Sequence, residues 1–208
     1  MINQERLVKS FCNLVGTASV SGREGAMRDL LIEAMRTRGL TATEDAAAEK
    51  VNGESGNLLV RVPGNTPGKK VLFAAHMDTV EPGEGIRAVI ENGIIRSQGD
   101  TILGADDKAA IAAILEALDI MRENHLPYAD LEILFTVGEE QGLKGAKAFD
   151  FSVLQSEVGY VLDAGGDPGC IVIQSPCQNE IEYEVYGRAA HAGMNPEEGI
   201  NAIHLAAK

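Results

Sequence analysis

Apolar positions along the 208-residue chain recur at two periods, and the switches between them outline an architecture. In "INQERLVKSFCNLVG", Leu7, Phe11, Leu14 and Val15 fall on one helical stripe, and "SGREGAMRDLLIEAMRTRG" repeats the pattern with Met27, Leu30, Leu31 and Met35. Ser21 and Glu24 read as a capping box opening the second helix, and Gly39 as its stop. Short apolar runs bounded by Gly, Pro, Asp or Asn then read as strands: "NLLVRV", "KVLFAAH", "LEILFTV" and "GYVLDA". Between the second and third, Ile111, Ile114, Leu115, Leu118 and Met121 form the stripe of a longer helix that follows Asp107. Residues 82–99 read as an antiparallel excursion or loop.

Continuous apolar strands separated by amphipathic helices indicate an α/β fold, with a mixed, mostly parallel sheet sandwiched by helices. The pattern changes near Gln178, where "EIEYEVYG" alternates Glu180, Glu182 and Glu184 with Ile181, Tyr183 and Val185, as in a strand with one wet face. "NPEEGINAIHLAAK" then starts a helix with Asn195 as cap and Pro196 at its first position. These changes predict a first domain over residues 1–176 and the beginning of a smaller α+β module over 177–208, too short to bury a core of its own.

Composition narrows the partners. Hydrophobic content of 45% and charged content of 24% are those of an ordinary soluble protein. The net charge of -13, with no run of Lys and Arg interleaved with aromatics, argues against nucleic acid and against an anionic membrane. Cys12, Cys170 and Cys177 form no C-x-x-C pair and are odd in number, which favours a reducing compartment. The charged N-terminus lacks the apolar run of a signal peptide, and no window approaches the roughly 20 apolar residues of a membrane helix, so a cytoplasmic location is expected.

The polar residues that break the apolar runs gather at strand ends, where an α/β sheet binds its ligands. "VLFAAHMDTV" ends in His76 and Asp78, "LEILFTVGEEQG" in Glu139 and Glu140, and "YVLDAGG" in Asp163, while the long helix opens at Asp106 and Asp107. Taken one at a time, each has a structural explanation: Asp107 as a helix cap, Asp106 beside a helix N-terminus, His76 as a hydrogen-bonded core residue, the two glutamates as a solvated turn. Taken together, so many carboxylates around one histidine repel one another unless a cation lies among them. Carboxylates with imidazole and no thiolate suit zinc, with cobalt or manganese as alternatives.

At these residues the sequence resembles the dinuclear-zinc metallopeptidase family that includes peptidase T, carboxypeptidase G and acetylornithine deacetylase. "HMDTV", "GADDKAA", "VGEEQGLKGAK", "YVLDAGG" and "GRAAHAGMNPEEGINAI" follow that family's order and spacing, and the wording is nearest the peptidase T-like branch. The resemblance implies that His76, Asp106 and Asp163 hold one zinc, and that Asp106 bridges to a second zinc which Glu140 also binds. It further implies that Asp78 accepts a hydrogen bond from the far nitrogen of His76, and that Glu139 is the general base toward a water between the metals. Asp107 follows the bridging aspartate, where the family often has a cis peptide bond. His191, in the smaller lid domain, would polarise the scissile carbonyl and stabilise the oxyanion, often across a homodimer interface.

The implied activity is hydrolysis of short peptides by a metal-dependent exopeptidase of the tripeptidase or aminopeptidase type. An N-acyl amino acid deacylase or carboxypeptidase of the same family would break its amide by the same chemistry, and a truncated non-catalytic scaffold is the reading from another class. Family members continue past this point to finish the lid and return a final histidine to the second zinc. The chain, ending at Lys208 inside a lid helix, is therefore expected to be an incomplete and poorly active piece of such an enzyme.

Overall fold

The four apolar runs pair with one another, and a short outer strand completes a five-stranded sheet. Its members are β1 (Ala42–Glu44), β2 (Leu58–Val62), β3 (Val71–His76), β6 (Leu131–Thr136) and β7 (Val158–Val161), while β4 (Ala88–Glu91) and β5 (Ile94–Ser97) pair as a separate antiparallel hairpin within the expected excursion. The computed structural model describes residues 1–167, 169–174, 179 and 181–208, in two compact units, Met1–Gly165 and Gly166–Lys208.

The sheet order is β1-β2-β6-β3-β7. β3 runs parallel to both β6 and β7, whereas β2 is antiparallel to β6 and to β1, so β2 alone opposes the direction of the others. Parallel neighbours require a crossover, and helix α4 (Ala105–Glu123) lies on the path from β3 to β6. Three carboxyl ends, those of β3, β6 and β7, therefore share one edge of the sheet.

Side chains alternate between the two faces as a strand requires. Leu58, Val60, Val62, Ile133 and Phe135 enter the main core with Phe11, Leu14 and Val15 of α1 (Gln4–Gly16), Met27, Leu31 and Met35 of α2 (Gly25–Thr37), and Ile111, Ile114, Leu115 and Leu118 of α4. Leu59, Ala74 and Leu134 face the other way onto Phe149, just after the short helix α5 (Lys144–Ala148). A short helix α3 (Ala47–Val51) lies between β1 and β2. Lys108 is fully buried in the first turns of α4, and its Nζ donates to the Thr17 carbonyl at 2.8 Å, placing a cation at the C-terminal end of α1.

Three local expectations change. Ser21 and Glu24 do not form a capping box: α2 has no side-chain cap bond, and both side chains reach across the fold instead. Residues 181–187 form no strand, because an alternating segment needs a neighbour to complete its ladder and the described residues of its unit supply only an isolated Arg188–Ile200 bridge. Asn195 opens only a 3-10 turn, Pro196–Glu198, which ends at Gly199 in extended conformation. The α-helix of this unit, α6 (Ala202–Ala206), starts later, with Asn201 accepting from the His204 amide. The expected boundary between residues 176 and 177 lies outside the described residues, as do Cys177, Gln178 and Glu180.

At the far edge of the sheet, Glu132 Oε2 accepts from the Gln155 and Ser156 amides, each at 2.8 Å, and from Ser156 Oγ at 2.7 Å. These bonds fix the segment that enters β7. Burial pushes the Glu132 carboxyl upward, but the Ser156 hydroxyl, the two amides and Arg61 outweigh it and hold it below the ordinary value. The ionised form is thus favoured by folding, and its contribution is present above the unfolded pKa and lost as pH falls through the folded one. Glu132→Gln is expected to lower the unfolding free energy by about 1–3 kcal/mol at neutral pH. The gap to the parent protein should close in acid, as urea unfolding at neutral and acidic pH would show.

Candidate metal centre

His76, the last residue of β3, is 2% exposed and has its backbone N–H on Asp107 Oδ2 at 3.2 Å. Its Nε2 lies 3.1 Å from Asp106 Oδ1 and 3.9 Å from Asp163 Oδ2. On the other side of the ring, Nδ1 lies 3.3 Å from Asp78 Oδ1, within ion-pair distance. The contact falls outside hydrogen-bond alignment, leaving Nδ1 as a buried atom with no hydrogen-bond partner among the described residues.

The paired aspartates at the start of α4 divide their work. Both have non-helical backbone angles and are joined by a cis peptide. The Asp106 side chain is exposed and turns to His76, whereas Asp107 is buried and accepts the His76 amide, so it supports β3 and caps nothing. Burial, together with the neighbouring carboxylates of Asp163 and Asp106, pushes the Asp107 carboxyl up to about 7 against the opposing pull of His76.

The turn after β6 carries Glu139 and Glu140, and its backbone is held by side chains from three other segments. Val137 N–H donates to Asn57 Oδ1 at 3.2 Å, Gly138 N–H to Glu24 Oε1 at 3.2 Å, Glu139 N–H to Asp78 Oδ1 at 2.9 Å and Glu140 N–H to Asp78 Oδ2 at 3.2 Å. Ser21 Oγ adds a 2.6 Å bond to Asp78 Oδ2. The strand-like contact of residues 19–21 with Thr79 brings Ser21 there. Asn57 also donates through Nδ2 to Asp45 and to the Gly145 carbonyl, closing the turn from its far side.

Burial and crowding shift the ionisable groups along this edge. Burial disfavours the His76 imidazolium, yet the Asp78 and Asp106 carboxylates outweigh it and push the ring up to about 10. Glu139, Glu140 and Asp163 are all raised, first by burial, against the pull of His76, and further by the carboxylates around each: Asp163, Glu140 and Asp78 for Glu139, Asp106, Asp78 and Asp163 for Glu140, and Asp106 and Asp78 for Asp163. Asp78 is held below its ordinary value despite burial, by His76, Ser21 and the Glu139 amide. Among the described residues, two groups of side chains could hold a metal ion, His76 with Asp106 and Asp163, and His76 with Glu139 and Glu140, the donor atoms of each lying within 4.8 Å of one another.

The fold thus brings together His76, Asp78, Asp106, Glu139, Glu140 and Asp163. His191 belongs to the other unit, where it is exposed in a turn and its Nδ1 accepts from Gly193 N–H at 3.2 Å. Sequence reasoning did not foresee Ser21, Glu24 and Asn57 as supports of the turn. The available signal was three small or polar residues bordering otherwise apolar elements.

A mixed, mostly parallel sheet flanked by helices, whose carboxyl edge collects one histidine and several carboxylates, is the fold of the zinc exopeptidases. Residues 57–175, more than half of the chain, match the model of peptidase family M28, and the chain belongs to that family. It is 39% identical to the uncharacterized protein YqjE of Bacillus subtilis (strain 168) over 208 residues, all of this chain and 56% of that relative. Among solved structures it is similar to the aminopeptidase PepT of Bacillus cereus ATCC 10987, with TM-score 0.85 and 38% identity over 100% of this chain and 56% of that one. It is also similar to a tripeptidase of Staphylococcus aureus, with TM-score 0.84 and 34% identity over the same shares of 100% and 56%. The chain spans about half the length of the relatives it matches. No helix among the described residues is long and apolar enough to cross a membrane.

Gly145 tests how tightly the turn is closed. A Cβ there would stand 2.3 Å from the Val137 carbonyl oxygen, which accepts the Gly145 N–H at 2.9 Å, and 2.5 Å from Asn57 Oδ1, which accepts the Val137 N–H. Gly145→Ala is expected to destabilise the protein by about 1–3 kcal/mol, measured by denaturant unfolding.

Proposed function

We propose that this chain carries a metal centre for exopeptidase hydrolysis of short peptides, with zinc as the native ion and cobalt or manganese as functional substitutes. The observation that carries this reading is the convergence of two ligand-capable groups on His76. The donor set fits a divalent cation: an imidazole with carboxylates and no thiolate, several of those carboxyls being raised by burial and crowding. His76, Asp106 and Asp163 would hold one ion, and Asp106 with Glu140 a second. Support for a peptide substrate comes from the similarity to a PepT aminopeptidase and a tripeptidase.

A divalent ion held by these residues would supply Lewis-acid polarisation of the scissile carbonyl and lower the pKa of a nearby water toward neutral. Asp78, beside Nδ1 of His76, keeps the ring turned so that Nε2 faces Asp106 and Asp163. Glu139 takes the proton from the attacking water and delivers it to the departing amine as the C–N bond breaks. Its backbone N–H is anchored on Asp78, so base and ligand orientation share one support. His191 would stabilise the oxyanion in the assembled protein. Homodimerisation through the second unit belongs to the same reading, supported by exposed Ile181, Tyr183 and Ile203, as does a cytoplasmic setting.

For a protein of the relatives' full length, elemental analysis after equilibration with zinc and removal of excess is expected to give about two ions per chain; none would refute the metal centre. Asp106→Ala should lose both ions, and retention of two would show that it does not bridge. Glu139→Gln should leave metal content intact while lowering turnover of a tripeptide by roughly 100- to 10,000-fold. An unchanged rate refutes the base assignment, and preference for an N-acetyl amino acid over the tripeptide would move the activity to the deacylase class.

A further inference from the structure

Four consecutive backbone N–H groups, those of residues 137–140, are each accepted by a buried side-chain oxygen from elsewhere in the fold. Asn57 and Asp78, fully buried, take three of them. The fourth, Gly138 N–H, goes to Glu24, a carboxylate only 1% exposed that also accepts the Gly22 amide at 2.9 Å. Its second oxygen, Oε2, is buried without a hydrogen-bond partner among the described residues. Burying a carboxylate so incompletely satisfied is unfavourable for stability alone. Glu24 is not among the donor groups around His76, and although it holds the N-cap position of α2 its side chain makes no capping bond there.

We propose that Glu24 is a positioning residue: by accepting the Gly138 N–H it sets the turn from which Glu139 and Glu140 project toward His76. The proposal rests on the roles given above to Glu139 and Glu140. Asp78 fixes the amides of those two residues directly, but the angle at which the chain leaves β6 is set one residue earlier, at Gly138. That glycine has φ +58°, a left-handed turn that needs external support to hold one direction. Asn57 and Glu24 supply the support on its two sides, from the entrance to β2 and from the entrance to α2.

Two variants separate reach from charge. Glu24→Asp keeps the charge and withdraws the acceptor by one methylene; Glu24→Gln keeps the reach and removes the charge. In the zinc-free protein, amide exchange at Gly138, Glu139 and Glu140 is expected to quicken about tenfold in E24D and to stay parental in E24Q. With zinc as the probe, titration calorimetry should show affinity about 10- to 100-fold weaker in E24D and parental in E24Q. Parental exchange in E24D, or E24Q impaired as strongly as E24D, overturns the proposal. So does a fall in the E24D urea midpoint with protection of the three amides unchanged relative to the rest of β6, the signature of a purely structural role. A parent protein that takes up no zinc refutes the metal reading, while the exchange measurements still decide the role of Glu24.

Discussion

Asp78 is the fixed point of the site. A fully buried carboxylate is tolerated only when its oxygens are nearly all engaged, and those of Asp78 take Ser21 Oγ and the amides of Glu139 and Glu140 while standing beside the His76 ring. Because these partners come from the segment before α2, the end of β3 and the turn after β6, one charge ties three parts of the chain together. Remove any of the donors and the remaining ones are left holding an under-satisfied anion. The crowd of further carboxylates at this edge can be kept in place only against such a rigid frame.

The two aspartates at the head of α4 illustrate how that crowding is resolved. Like charges adjacent in sequence are separated in function, Asp107 turning inward to the His76 backbone and Asp106 outward to its ring. The inner one is pushed toward neutrality by burial, which relieves part of the repulsion. Lys108, next in line, is buried as well, but its hydrogen bond is spent on the end of α1.

Much of this was legible in the sequence, for identifiable reasons. The stripes of α1, α2 and α4 and the runs of β2, β3, β6 and β7 are strong periodic signals, and parallel strands deliver the residues that follow them to a common edge. His76, Asp106, Glu139, Glu140 and Asp163 could therefore be grouped before any coordinates. The supports of the turn could not. Ser21 and Glu24 satisfy a local spacing rule for a helix cap, but their actual partners lie 57 and 114 residues away, and Asn57 reaches 80 residues to Val137. Spacing rules see neighbours in sequence, while these bonds are made possible only by the closed sheet. The alternation over residues 181–187 failed for the opposite reason: the local signal was clear, but no neighbouring strand among the described residues completes it.

β7 carries a consequence for how Asp163 arrives at the site. Among the described residues this outer strand pairs only with β3, its residues are exposed, and its ladder ends with Leu162 N–H on the Ala74 carbonyl. Side chains along a strand alternate in direction, so a slip of one residue against β3 would turn Leu162 toward the histidine and Asp163 away from it. The register is supported at the opposite margin of the sheet, where Glu132 grips Gln155 and Ser156 and the Glu157 N–H is accepted by the Lys70 carbonyl. The fidelity with which a carboxylate or a leucine is offered to the site is thus decided at the end of the sheet where no chemistry takes place.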